Sequence, residues 1–142
     1  MSEGDGPYFL DSNVLIYAFD TAEPAKRERS RALIASLPPG AIVLSAQVIN
    51  EFYFTVTRKL RPAVPPAAAE EAVRGLSGFR ILPVDYRLSL AAMELVRKQQ
   101  LSIWDALIVE SAIDGGCRTL FSEDLQNGRK YGPVTVTNPF GE

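Results

Sequence analysis

The feature that most restricts how this chain can fold is a junction near its start, Tyr8-Phe9-Leu10-Asp11-Ser12-Asn13-Val14-Leu15-Ile16-Tyr17. A short apolar run stops at an acid, and two small polar residues follow. Apolar residues then recur at helical spacing, with Val14, Tyr17 and Ala18 at i, i+3 and i+4. A strand with no polar face has to be covered on both sides, which is the environment of a parallel sheet between helices. The same alternation runs to the end of the chain. Strands are expected at 8–11, 41–45, 79–84, 118–121 and 134–136. Helices are expected at 13–19, 22–37, 46–61, 67–76, 86–99 and from Ser102 to Gly115-Gly116. The punctuation agrees: Pro24 suits a first helical turn, Pro38-Pro39-Gly40 and Pro62 stop helices, and Ser45 and Asp85 are cap residues. These elements predict an α/β three-layer sandwich around a mostly parallel five-stranded sheet, with strand 79–84 at an edge.

Two helices carry further expectations. Leu33, Ile34 and Leu37 give 22–37 its buried stripe, while Ile49, Phe52, Tyr53, Val56 and Leu60 line one face of 46–61. Lys26, Arg27, Arg29 and Arg31 crowd the first half of 22–37, either as a solvated face partnering Glu23 and Glu28 or as a phosphate-facing patch.

At 142 residues, 46% hydrophobic and 23% charged, the chain is expected to form one folded domain with a proper core. No apolar run approaches the ~20 residues that span a bilayer. Residues 1–6 are acidic, unlike the start of a signal peptide, and are expected to be a flexible extension. The one cysteine, Cys117, cannot form an internal disulfide, which suits a cytoplasmic protein, and it is expected to be a small buried hydrophobe. A net charge of −2 argues against a protein that coats nucleic acid through a basic surface. It leaves room for a nuclease with its basic residues on one side. The absence of histidine excludes more: Ser-His-Asp triads, Cys-His pairs, histidine zinc sites and histidine acid/base ribonucleases are all impossible. Catalysis here has to rest on carboxylates, hydroxyls, Lys, Arg, Tyr or the single Cys.

Four acids stand at comparable junctions. Asp11 ends the first strand, Glu51 is in the second turn of the helix leaving the second, Asp105 begins a helix, and Asp124 lies just past the fourth strand. In an open parallel sheet the ligand site lies beyond the C-terminal strand ends, where the strand order reverses. The helix bearing Asp105 feeds the fourth strand from the bottom of the sheet, so its own start must be at the top. All four acids reach one rim if the first and fourth strands are neighbours. Carboxylates ~4 Å apart repel by ~4 kcal/mol at an effective dielectric of about 20, so such a cluster calls for a cation. All-oxygen ligands select hard ions, Mg²⁺ or Mn²⁺, which activate water and hold a phosphate for attack. Asn13 and Ser122 stand two residues from Asp11 and Asp124 and are placed to position water or a phosphate oxygen. Each acid also has a plainer reading. Asp11 is a possible Asx-turn or cap, Asp105 the end of a near capping box with Ser102, and Asp124 a turn residue. Glu51, set between Asn50 and Phe52-Tyr53-Phe54, is hardest to explain as anything but a site residue. Asp85 is read as a cap.

The chain resembles the PIN-domain family, specifically the VapC-type toxin ribonucleases of bacterial toxin–antitoxin modules. Four segments carry the resemblance in order: Leu10-Asp11-Ser12-Asn13-Val14-Leu15-Ile16-Tyr17, Ser45-Ala46-Gln47-Val48-Ile49-Asn50-Glu51, Leu101-Ser102-Ile103-Trp104-Asp105-Ala106-Leu107-Ile108 and Leu120-Phe121-Ser122-Glu123-Asp124-Leu125-Gln126-Asn127-Gly128. It implies strand order 3-2-1-4-5 and Mg²⁺- or Mn²⁺-dependent endoribonuclease activity. Asp11, Glu51, Asp105 and Asp124 match the family's acidic residues. It further implies a cognate antitoxin and a homodimer. In the expected mechanism Asp11, Asp105 and Asp124 hold the metal and Glu51 completes the cluster and orients water. Cleavage leaves a 5′ phosphate and a 3′ hydroxyl. Arg58, Lys59 and Arg61 are candidates to guide the RNA backbone. Many members have a second Asp where this chain has Asn13, which leaves the number of metals open.

Three other readings compete. A haloacid-dehalogenase-like phosphatase also begins with an Asp after strand one but wants a second Asp at position 13. A receiver domain wants paired early acids, which this chain lacks. An inert PIN-fold binding module has no reason to keep the four acids together.

Overall fold

A computed structural model describes residues 6–141; of the expected N-terminal extension, 1–5 lie outside the described residues. The first strand, β1 (Tyr8–Leu10), is buried along its whole length and lies at the centre of the sheet. It pairs in parallel with β2 (Ile42–Ser45) on one side and β4 (Thr119–Phe121) on the other, with Tyr8 opposite Ile42 and Thr119. β3 (Arg80–Leu82) forms the edge beyond β2, and β6 (Val134–Thr137) pairs in parallel with β4. The order is β3-β2-β1-β4-β6-β5. Its first five members reproduce the expected 3-2-1-4-5 arrangement. The sixth strand is an addition: β5 (Lys130–Tyr131) runs antiparallel to β6 across a turn at Gly132-Pro133, where Gly132 takes a φ of 58°. Two residues carry no periodicity, so only the turn and its partner strand create this edge.

The helices follow from the crossovers. α1 (Ser12–Tyr17) and α2 (Pro24–Ser36) link β1 to β2, and α3 (Ala46–Arg58) and α4 (Pro66–Arg74) link β2 to β3. Both connections move outward in one direction. α5 (Tyr86–Gln99) and α6 (Ile103–Asp114) carry the chain back over the sheet to β4, in the other direction. Right-handed crossovers of opposite direction place their helices on opposite faces, which gives three layers. The packing agrees: α3 lies against both α1 and α4, and Leu88, Ala92, Ala106 and Leu107 form a separate core between α5 and α6. The reversal falls between β1 and β4.

Local chemistry sets the helix starts. The side chains of Ser45, Asp85 and Ser102 accept hydrogen bonds from the N–H groups of Val48 (3.3 Å), Leu88 (2.9 Å) and Asp105 (3.0 Å). Cys117 is fully buried, and burial pushes its thiol up to about 12, so it behaves as the small hydrophobe expected. Leu33 and Leu37 are buried as expected, with Ile34 packed against them.

Two expectations need correction. The buried stripe of α3 is Val48, Phe52 and Val56, while Tyr53 is turned outward and 40% exposed. Spacing alone gives a wide stripe; the sheet covers only its centre. Three of the four basic residues of α2 pair across the fold rather than with Glu23 and Glu28. Lys26 bridges Glu123, and the Nε groups of Arg29 and Arg31 donate to the carbonyls of Pro139 (2.9 Å) and Ala18 (2.7 Å).

Gly115 ends α6 in contact with the sheet. A Cβ there would meet Val43 Cγ1 at 3.0 Å and Leu82 Cδ1 at 3.1 Å. Gly115→Ala is expected to destabilise the fold by about 1–3 kcal/mol through overpacking, read as a lower urea midpoint at unchanged slope.

Candidate active site

The switch point between β1 and β4 delivers two chain segments side by side. The Asp11 N–H continues the ladder to Phe121 O (2.9 Å), and the Ser122 N–H does the same to Thr137 O (3.1 Å). Asp11 is therefore only 4% exposed. Its Oδ1 accepts from the Ser12 N–H at 2.7 Å, and its Oδ2 accepts from the Ser122 hydroxyl at 2.7 Å. Ser122 Oγ in turn accepts from the N–H groups of Asp124 (3.1 Å) and Leu125 (3.4 Å), which turns the chain immediately after β4. Asn13 completes the clasp: its Oδ1 accepts from the Glu123 N–H at 3.2 Å and its Nδ2 donates to Asp124 Oδ2 at 3.3 Å.

Glu51 comes from α3 and Asp105 from the first turn of α6, and both line the same cleft as Asp11, Asn13 and Asp124. The cleft measures about 380 Å³. Glu51 Oε2 accepts from Gln47 Nε2 at 3.0 Å, one turn earlier on α3. Asp11 and Asp105 both feel the charges of Glu51 and Asp124. Burial pushes the Asp11 carboxyl up to about 7, against the hydrogen bonds from Ser122 and Ser12, and the charges of Glu51 and Asp124 add to the rise. Burial also raises Asp105, followed by repulsion from Asp124 and Glu51. None of the four forms an ion pair among the described residues.

The family model for the PIN domain matches residues 8–131. The chain belongs to the PIN-domain family. Solved structures agree on the fold. Mycobacterium tuberculosis VapC20, described as a sarcin–ricin loop cleaving toxin, is 26% identical with a TM-score of 0.67, covering 82% of this chain and 91% of its own. A toxin–antitoxin complex from Klebsiella pneumoniae is 17% identical with a TM-score of 0.71, covering 94% and 98%. FitAcB from Neisseria gonorrhoeae is 21% identical with a TM-score of 0.60, again covering 94% and 98%. Comparison with curated proteins gave no match.

All four acids expected from the sequence line the PIN cleft, with Asn13 on its wall and Ser122 buried behind it. Among the described residues, no three acid or cysteine side chains are arranged to hold an ion by themselves. The donor set is still suited to a hard cation that keeps several waters: it is all oxygen, open on one side, and carries no compensating positive charge from an ion pair. Of the three basic candidates only Lys59 borders the cleft; Arg61 turns back to the carbonyls of Arg58 and Leu60. No helix among the described residues is long and apolar enough to cross a membrane.

Several site features escape sequence reasoning. Trp104 and Phe54 flank the acids while 63% and 52% exposed. A tryptophan one residue before a helix-start acid was the available signal. Glu123 anchors the β4 turn from outside: Tyr17 Oη donates to its Oε1 at 2.7 Å and Lys26 Nζ to its Oε2 at 2.5 Å. Burial would raise the Glu123 carboxyl, but these two donors outweigh it and hold it below its usual value.

The Asp11 shift has a stability consequence. Its folded value, about 7, lies above the ordinary 3.8. Between those values the native state keeps a proton that the unfolded chain releases, so metal-free protein loses stability as pH rises from about 4 to about 7. The full loss is at most ~4 kcal/mol. Asp11→Asn should remove this component, so that the thermal midpoint of the variant exceeds that of wild type at pH 8 in EDTA and the difference shrinks below pH 5.

Proposed function

We propose that the protein is a Mg²⁺- or Mn²⁺-dependent endoribonuclease that hydrolyses RNA phosphodiesters, the toxin of a type II toxin–antitoxin pair. The observation that carries this reading is the convergence of Asp11, Glu51, Asp105 and Asp124 on one cleft at the β1/β4 switch point. Asp11, Asp105 and Asp124 are the residues that would hold the ion, with Glu51 completing the set. A bound Mg²⁺ or Mn²⁺ supplies positive charge for the phosphate and lowers the pKa of water.

The chain's own residues account for the rest. Ser122 and Ser12 fix both oxygens of Asp11, and Asn13 holds Asp124 to the same rim. Gln47 restrains Glu51 Oε2, and Oε1, which meets no protein donor among the described residues, would orient the attacking water and accept its proton. Lys59 offers charge to the RNA backbone. The water oxygen bonds to phosphorus, the bond to the 3′ oxygen breaks, and a proton passes to that oxygen. The products are a 5′ phosphate and a 3′ hydroxyl.

The partner reading follows from the relatives. The Klebsiella pneumoniae neighbour is a toxin–antitoxin complex, and VapBC2 from Rickettsia felis was solved bound to a promoter DNA fragment. We read this chain as a homodimer held inactive by a cognate antitoxin. The rival of an inert PIN module predicts neither metal binding nor cleavage.

RNA incubated with purified protein should be cleaved with Mn²⁺ or Mg²⁺ and left intact in EDTA. Asp11→Asn should lower the rate by more than the about 10–100-fold typical of changes in residues that merely support a metal ligand. Cleavage that survives EDTA or the substitution would sink the reading. Overexpression should arrest growth of the host, and Asp11→Asn should relieve the arrest; harmless expression of the wild type counts against a toxin.

A further inference from the structure

A second pocket adjoins the acidic cleft and is not explained by metal chemistry. It measures about 410 Å³ and lies between α3 and α6, with Ala46, Val84, Leu107 and Trp104 as its apolar wall and Asn50 at its side. Glu51 and Trp104 border both spaces, so the pocket and the acids form one continuous surface. Trp104 has no fold-building role that explains its position. It is 63% exposed and stacks on no other aromatic ring among the described residues. Its backbone is nonetheless held, since Gln47 Nε2 donates to the Trp104 carbonyl at 3.2 Å as well as to Glu51. One glutamine thus ties the indole's backbone to a cleft acid. Asn50 is exposed and makes no side-chain hydrogen bond among the described residues, which leaves an amide donor and acceptor for a ligand.

We propose that this pocket is a nucleobase subsite, in which an unpaired base of single-stranded RNA stacks on Trp104 and meets the Asn50 amide along its edge. The inference rests on the ribonuclease reading of the neighbouring cleft and names its substrate class. A planar ligand with apolar faces and a polar rim fits a wall of tryptophan and aliphatic side chains with the amides of Asn50 and Gln47 beside it. Sharing Glu51 and Trp104 with the cleft puts that base on a nucleotide next to the phosphate that is cleaved. A base inside a duplex is already stacked and paired and cannot enter, so the pocket selects single strands, loops or extruded bases.

Trp104 is the only tryptophan in the chain, so its emission reports on the surface that the pocket shares with the cleft, and the abasic strand separates base from backbone binding there. Metal-free protein in EDTA is titrated with a short single-stranded oligoribonucleotide, its perfect duplex, and an abasic strand of equal length. The single strand should quench the emission saturably, and the other two should leave it unchanged. With Mn²⁺ restored, Trp104→Ala should lower kcat/KM on the single strand by about ten-fold or more, and Trp104→Phe should recover most of the loss. Asn50→Ala should alter preference among homopolymers rather than weaken all of them equally. Equal quenching by the abasic strand overturns the subsite, as does wild-type cleavage by Trp104→Ala. Emission indifferent to RNA but shifted by an apolar peptide also overturns it, since the pocket would then serve a protein partner. Base-dependent quenching without metal-dependent cleavage of any RNA upholds the subsite and defeats the ribonuclease reading instead.

Discussion

The arrangement of the site depends on one buried carboxylate. Asp11 sits at the end of the central strand, covered by β-structure on both sides, and each of its oxygens accepts a hydrogen bond at 2.7 Å. Burial pushes its carboxyl up to about 7, and those two donors work against the rise. Ser122 performs two tasks with one hydroxyl, donating to Asp11 and accepting from the N–H groups that start the next turn. The position of Asp124 therefore follows from the same atom that holds Asp11. Asn13 reinforces the link from the other segment. The central acid and its partner strand are one hydrogen-bonded unit.

The remaining acids arrive by helices, and here the sheet topology matters more than any local contact. α3 buries Val48, Phe52 and Val56 against the sheet, which turns the strip bearing Gln47, Glu51, Thr55 and Lys59 toward the cleft. α6 starts at the rim because it must descend to feed β4. Its capping by Ser102 fixes the first turn, and Asp105 and Trp104 both belong to that turn. The helix N-terminus steadies the Asp105 charge at the same time, so cap and site residue are compatible roles for one carboxylate. Gln47 then joins the two helices across the gap between acid and indole.

The acids are legible because chemistry-bearing residues at strand ends and near the starts of helices break an otherwise apolar pattern. Asp11, Glu51, Asp105 and Asp124 each interrupt such a pattern, whereas Asp85, similar in appearance, caps α5 and does not line the cleft. Edge position separated it from the others. Less visible were groups whose meaning is a contact over long sequence separation. Lys26 stands among basic neighbours in the sequence, yet it meets Glu123 from 97 residues away. Tyr53 fitted the apolar spacing of α3 and was still left outside, because the sheet covers a narrower arc than the helix offers.

The amino-acid sequence by itself determined the strand and helix alternation, the caps, the absence of histidine chemistry and the identity of four acids. These are properties of near neighbours and of composition, readable from periodicities of two and 3.6 residues and from single breaker residues. Tertiary structure decided which acids meet, how far Asp11 is buried, and that Trp104 stands exposed beside them. It also added the edge strand β5, which two residues and a glycine turn could not announce. The reason is physical. Burial and pairing depend on which strands lie side by side, and that order is settled by the packing of the whole chain.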